Sequence, residues 1–329
     1  MKIAVITAGA FGSALSQVLC DNRHEVTLWG RNPEYMAEVA SRRENFWHLP
    51  GYRLHDNLRI SSDFAATIED AELVLVTTPA QHLRGSLAEL RRLGLQCPVV
   101  NVAKGIERSS LKRMAELAAE VLGPAHPYAM LAGPSHAEEV IQGMPAALVA
   151  AATDEELARL VQKAFMSPRF RVYTSTDVTG VELGGALKNI YAICAGVLDG
   201  LGFGDNTKAA LMTRAVVEMG RLGEALGGRR ETFAGLSGLG DLITTCTSQH
   251  SRNRRVGELL GKGATWDAIQ ADMGHNVAEG VPTAAAAAAL AQRLGVKAPI
   301  IEACNLVLHH GACPREAILG LMTRDAKSE

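Results

Sequence analysis

The chain has 329 residues, 47% hydrophobic and 21% charged, with a formal net charge of −2 and a pI near 6.6. That length carries two cores, and the balance excludes a disordered chain and offers no general basic field for gripping a nucleic-acid backbone. No apolar run approaches the ~18 residues needed to span a bilayer, so a cytoplasmic protein with no stable membrane insertion and no nucleic-acid partner is expected.

The first element is a bare strand, Lys2–Ile6, running into Thr7-Ala8-Gly9-Ala10-Phe11-Gly12 and a helical stretch over 13–19. A strand that turns tightly into a helix aims unpaired N–H groups and the positive end of the helix dipole at one point, which suits a dinucleotide pyrophosphate. Gly9 lets the backbone approach that group, and Gly12 lets the helix pack closely on the strand. Thr7 stands where the first glycine of the fingerprint belongs, and a β-branched residue resists the tight turn.

Further strands are expected at Glu25–Trp29, 73–77, 99–102, 128–131, 147–151 and 170–173, alternating with helical segments. The alternation predicts an α/β, Rossmann-type, doubly wound and mostly parallel sheet. Three strand ends carry chemistry, at 7–12, 77–80 and 103–105, and ligands bind such sheets at the carboxyl ends of the strands. Thr153-Asp154-Glu155-Glu156 predicts a capping box at a helix start. Beyond Asp177 the strand signal disappears. Helices are predicted over 178–198, 206–226, 252–260, 265–273, 283–294 and 300–309, giving an all-α C-terminal domain at 178–329 after a cofactor domain at 1–177. The run Ala284 to Ala289 reads as a closely packed helix. The six cysteines show neither C-x-x-C nor zinc spacing and read as reduced thiols, so no metal is expected.

Three segments could hold catalytic or binding groups. Lys188 lies in a helix with Gly184 and Ala192 one turn away on its own face and Gly185 beside them, so something must approach closely there, and desolvation would bring its pKa toward neutrality. Ser251-Arg252-Asn253-Arg254-Arg255 gathers guanidinium, amide and hydroxyl donors at a helix start, an arrangement suited to a phosphate dianion but equally to a carboxylate or to solvent. Leu131-Ala132-Gly133-Pro134-Ser135-His136-Ala137 forms a loop and helix start after a strand, for which Ser135 as N-cap is a sufficient structural account.

The strings Val102-Ala103-Lys104-Gly105-Ile106-Glu107, Gly133-Pro134-Ser135, Glu182-Leu183-Gly184-Gly185-Ala186-Leu187-Lys188-Asn189-Ile190, Gly202-Phe203-Gly204-Asp205-Asn206-Thr207-Lys208-Ala209-Ala210, Gly240-Asp241-Leu242, Ser251-Arg252-Asn253-Arg254 and Glu279-Gly280-Val281 resemble the bacterial NAD(P)-dependent glycerol-3-phosphate dehydrogenases over essentially the whole chain. The resemblance implies reduction of dihydroxyacetone phosphate for glycerophospholipid synthesis, by a homodimer. It makes Lys188 the general acid/base and sets Lys104 beside both substrate and cofactor. Gly133, Ser135, Asp241, Ser251, Arg252 and Asn253 match substrate positions, with Asn189 and Thr245 as further members. Ala10, Phe11, Arg31, Lys104, Ala137, Arg252, Val277 and Glu279 match cofactor contacts, joining Gly9 and Gly12. The second strand ends in Leu28-Trp29-Gly30-Arg31-Asn32 with no acidic residue for the ribose hydroxyls, so NADPH is expected to serve at least as well as NADH. A hydroxy-acid dehydrogenase of the same plan and a catalytically silent nucleotide binder remain as alternatives; retention of both Lys104 and Lys188 speaks against the second.

Overall fold

The computed structural model describes residues 1–274 and 277–325; the ends of the expected second domain, 326–329, and positions 275–276 within it lie outside the described residues. Strands β1 (Lys2–Ile6), β2 (Glu25–Trp29), β3 (Arg59–Ser61), β4 (Leu73–Val76), β5 (Val99–Asn101), β6 (Tyr128–Ala132), β7 (Ala146–Ala151) and β8 (Phe170–Ser175) form one sheet in the order β3-β2-β1-β4-β5-β6-β7-β8. Every neighbouring pair is parallel except β6 and β7. The expected α/β architecture is therefore present. The strand order reverses between β1 and β4, which opens a crevice outside their carboxyl ends.

The sheet is covered by α1 (Ala10–Asp21), α2 (Pro33–Arg42), α3 (Phe64–Ile68), α4 (Leu83–Arg92), α5 (Met114–Leu122), α6 (Ala137–Ile141) and α7 (Glu155–Phe165). Alternation along β1 sends Ile3 and Val5 into one core with Leu15 and Val18, and Ala4 and Ile6 into the other with Leu83, Leu87 and Leu117. Two local expectations are corrected. Strand β3 escapes the sequence pattern because Arg59-Ile60-Ser61 is a short, polar edge strand. Helix α7 is capped by Asp154, whose carboxylate accepts from Glu156 N at 3.0 Å, in place of the Thr153 capping box; its negative charge also meets the helix dipole.

After β8 the chain is helical: α8 (Val178–Gly200), α9 (Asp205–Ala225), α10 (Asp241–Thr247), α11 (Arg252–Gly261), α12 (Trp266–Met273), α13 (Gly280–Leu294), α14 (Pro299–His310) and α15 (Pro314–Met322). The sequence pattern misses α10, a seven-residue helix behind a glycine cluster, and α15, which buries no residue. Contrary to the sequence reading, α8 is long and apolar enough to cross a membrane, but 94% of its apolar window is buried inside the protein. It is the axis of the helical half. Helices α8 and α11 cross backbone to backbone, since a Cβ at Gly196 would lie 1.9 Å from Arg254 O and one at Gly257 1.9 Å from Ile193 O. Glu182 of α8 in turn binds the sheet half, accepting at 2.8 Å from Arg113 Nη1, Ala115 N and Tyr128 OH. The alanine run lies in α13, where Ala284, Ala286 and Ala287 are buried in the helical core.

Candidate active site

Glycine turns, strand ends and one buried helix converge on the crevice between the halves. Helix α1 has no side-chain cap: Gly9 N donates to Thr7 O and Ser13 N to Gly9 O, and the N–H groups of Ala10, Phe11 and Gly12 have no partner among the described residues. A Cβ at Gly9 would meet nothing, whereas one at Gly12 would lie 2.5 Å from Thr7 O. Gly12 thus allows α1 to start against the strand ends, and Gly9 faces open space in front of free donors. This cradle fits a pyrophosphate.

Thr7 occupies the first position of the turn at φ +88°, a region that favours glycine. Its hydroxyl bonds to Thr78 Oγ1 at 2.6 Å, which continues to Ser86 Oγ at 2.9 Å, and Thr77 Oγ1 donates to Thr7 O at 2.7 Å. Those bonds hold a strained residue in place. Asn45 supports the next residue, donating to Ala8 O and to Ser13 Oγ; an isolated asparagine in an irregular segment gave no sequence signal. We expect Thr7→Gly to bind the dinucleotide roughly fivefold more tightly, about 1 kcal/mol, because glycine lets the turn adjust to the bound pyrophosphate where the threonine resists. Cofactor titration checks this, and equal affinity would show the threonine to be harmless.

Lys188 projects from the middle of α8 and is almost fully buried. Its ammonium donates to Asp241 Oδ1 at 2.7 Å and to Thr245 Oγ1 at 2.5 Å. Lys104, after β5, donates to Asp241 Oδ2 at 2.6 Å and to Gly133 O at 3.0 Å. One buried carboxylate therefore bridges both lysines. The glycines beside Lys188 explain how they meet. A Cβ at Gly184 would lie 2.7 Å from Ser237 O, and one at Gly185 3.4 Å from Lys104 Cγ. Gly184 admits the 235–240 segment and Gly185 admits the Lys104 stem. That segment closes as a wide turn, Gly240 N to Gly235 O, leading directly into α10 and delivering Asp241.

Burial pulls the Lys188 ammonium down to about 8, against the opposing pull of Asp241. Burial pushes the Asp241 carboxyl up, but the ammonium groups of Lys104 and Lys188 outweigh it and hold its pKa below the usual value.

Gly133 sits at φ +149°, and a Cβ there would lie 2.8 Å from Leu148 Cα, so only glycine fits. Ser135 donates to Gly133 O at 2.9 Å; it does not cap a helix, because α6 begins at Ala137. Ser251 caps α11, accepting from Arg254 N, and leaves the N–H groups of Arg252 and Asn253 without a partner among the described residues. Arg252 forms no hydrogen bond or ion pair among the described residues, and burial lowers its pKa. A half-buried guanidinium beside a helix N-terminus, with only the Glu138 and Glu279 carboxylates acting on it from a distance, is suited to an anion. Asn253 is largely engaged in scaffolding: it donates to Asn189 Oδ1 and accepts from Gly280 N, while Asn189 donates to Lys104 O.

Among the expected cofactor positions, Ala10 and Ala137 are buried at the starts of α1 and α6, and Phe11 is half-buried against the core. Arg31 is exposed just after β2 with no hydrogen-bond or ion-pair partner among the described residues, and Val277 is exposed. Glu279 joins the halves: its carboxylate accepts from Ala80 N at 2.8 Å and Lys104 N at 3.3 Å, and burial raises its pKa against those two donors. Its reach to Ala80 is a cross-domain contact that no local pattern announces.

Two family models cover the chain, NAD-dependent glycerol-3-phosphate dehydrogenase N-terminus over residues 2–158 and C-terminus over residues 177–319. Relatives named glycerol-3-phosphate dehydrogenase [NAD(P)+] from Solidesulfovibrio magneticus and Nitratidesulfovibrio vulgaris are 47% and 48% identical over 331 residues, spanning all of this chain and all of each relative. The crystal structure of glycerol-3-phosphate dehydrogenase from Coxiella burnetii superposes with a TM-score of 0.94 at 34% identity, covering 98% of both chains. The chain belongs to the NAD-dependent glycerol-3-phosphate dehydrogenase family.

Proposed function

We propose that Lys188 is the proton donor and acceptor of the reaction, held by Asp241 and Thr245 and assisted by Lys104. The chain itself is an oxidoreductase that interconverts dihydroxyacetone phosphate and glycerol 3-phosphate with NAD(P)H, a product that feeds glycerophospholipid synthesis. The observation that carries the assignment of roles is the buried Lys104–Asp241–Lys188 bridge, together with Arg252 at the start of α11, which has no hydrogen-bond or ion-pair partner among the described residues.

The nicotinamide, when bound, supplies or receives the hydride at substrate C2. Everything else falls to the chain. Gly9, Ala10, Phe11 and Gly12 hold the pyrophosphate on free N–H groups, with Arg31, Ala137, Val277 and Glu279 as further cofactor contacts. Arg252, with the first N–H groups of α11 and the Ser251 and Asn253 side chains, clamps the phosphate. Binding energy from that remote group orients a small reacting end that has few contacts of its own. Lys188 gives its proton to the C2 oxygen as negative charge develops there, and Lys104 stabilises the same oxygen. Asp241 keeps both ammonium groups in place, and Thr245 fixes the direction of Lys188. The assay is NADPH consumption with dihydroxyacetone phosphate, with a 2-keto acid, or with neither. Turnover confined to the phosphate substrate supports this reading, and turnover of the keto acid in its place contradicts it.

NADPH is proposed to serve at least as well as NADH, supported by the free Arg31 and the absence of an acidic residue at the end of β2. We expect Arg31→Ala to raise the KM for NADPH about tenfold and leave that for NADH unchanged, the loss of one charge-assisted hydrogen bond. A strong NADH preference unaltered by the substitution would reject it. We further place the boundary between the cofactor and substrate domains at 177/178, supported by the end of β8 at Ser175 and the start of α8 at Val178. A homodimer in the cytoplasm is likewise proposed, resting on the family resemblance.

A further inference from the structure

One buried polar atom beside the Gly133 turn has no role in this scheme: Nε2 of His136, which is shielded from solvent and has no hydrogen-bond partner. His136 directly follows the Gly133–Ser135 turn, whose first carbonyl accepts from Lys104. Its backbone carbonyl already serves α6, accepting from Glu139 N and Val140 N, so the helix makes no use of the ring. Across the crevice the ring faces His250 of the helical half, 5.9 Å between centroids, and His250 lies two residues before Arg252. The Glu138 carboxylate acts electrostatically on both His136 and Arg252, and Lys188, Lys104 and Asp241 act on His136 as well. The imidazole is thus within electrostatic reach of the lysine pair and shares the Glu138 carboxylate with the guanidinium. An unpaired buried ring nitrogen is costly, and natural proteins leave few of them.

We propose that His136 is a substrate-positioning residue whose Nε2–H donates a hydrogen bond to a phosphate oxygen of the substrate, completing the clamp made by Arg252 and the start of α11. Burial and the neighbouring ammonium groups keep the ring neutral, and a neutral imidazole carries one N–H, available to an acceptor at Nε2 in that tautomer. The inference rests on the reading of the Arg252 end as the phosphate site.

The test compares the full-length native enzyme with His136→Phe, which keeps a ring without the donor, and His136→Gln, which restores an amide donor. The KM for dihydroxyacetone phosphate, kcat, and the competitive inhibition constant of inorganic phosphate are measured for each, with Arg252→Ala alongside. The expected result is that His136→Phe raises both the KM and the phosphate inhibition constant by about tenfold, leaves kcat within about twofold, and that His136→Gln recovers most of the loss. Unchanged constants in His136→Phe would overturn the proposal. So would a raised KM with an unchanged phosphate constant, or a fall in kcat alone. If Arg252→Ala also leaves phosphate inhibition untouched, the phosphate reading of the site fails; if it weakens inhibition while His136→Phe does not, only the role of His136 fails.

Discussion

Lys188→Ala lowers kcat for dihydroxyacetone phosphate reduction by about 10³-fold, within the 10²–10⁴ range attributable to one positioned acid. That is about 4 kcal/mol of barrier at 1.36 kcal/mol per decade. The effect falls on kcat because the ammonium meets charge that develops at the C2 oxygen only as the hydride arrives. Cofactor affinity stays near native, since the pyrophosphate cradle of α1 is built without Lys188. Asp241 retains Lys104 as its partner at 2.6 Å, so the crevice does not collapse around an orphaned carboxylate. Ethylamine, small enough to enter the space vacated by the side chain, restores part of the rate. Turnover at native speed in Lys188→Ala would remove this residue from the chemistry, and failed rescue with a lowered melting temperature would indicate a packing defect.

Asp241→Asn damages stability and rate together. The native carboxylate bridges two ammonium groups in a buried site, and breaking such a pairing costs about 3–5 kcal/mol because uncompensated charge stays buried. Denaturant unfolding reads the first effect as a lowered midpoint. The second appears in the pH profile: without the carboxylate that favours its charged form, Lys188 loses its proton at lower pH, and reductive activity declines from a more acidic point than in the native enzyme. The native protein shows the acid-side counterpart. The pKa of Asp241 is depressed by folding, so its contribution to stability is present above the carboxyl value of the unfolded chain and is lost as pH falls through the folded one. Native stability and an unshifted profile in Asp241→Asn would show that the bridge does not hold the lysines.

Much of this was legible where the information is local. Short β-branched runs marked most strands, and a lysine flanked by Gly184, Gly185 and Ala192 announced a helix face against which another backbone had to lie. The 235–240 segment and the Lys104 stem occupy that face. What stayed hidden depends on long-range closure. Nothing around Asp241 says that it will face two lysines 53 and 137 positions away. Glu279 likewise reaches Ala80 across 199 positions. The left-handed turn at Thr7 was hidden for another reason: the residue type argues against that conformation, and only the hydroxyl chain through Thr78 and the bond from Thr77 make it tenable. Asn253 looked like a phosphate ligand from its neighbours, yet its amide also ties α8 to α13.

The proton role of Lys188 is tested most directly by the pH dependence of kcat/KM in both directions. Reduction needs the ammonium and oxidation needs the free amine, whose balance point in the free enzyme lies at about 8. The second ionisation of the substrate phosphate, near 6, lies well below it. The reductive rate is expected to be flat up to about pH 8 and to fall tenfold per unit above it, while the oxidative rate climbs tenfold per unit to a plateau from the same point. Profiles that bend the same way in both directions, or that show no inflection in that region, would contradict the assignment.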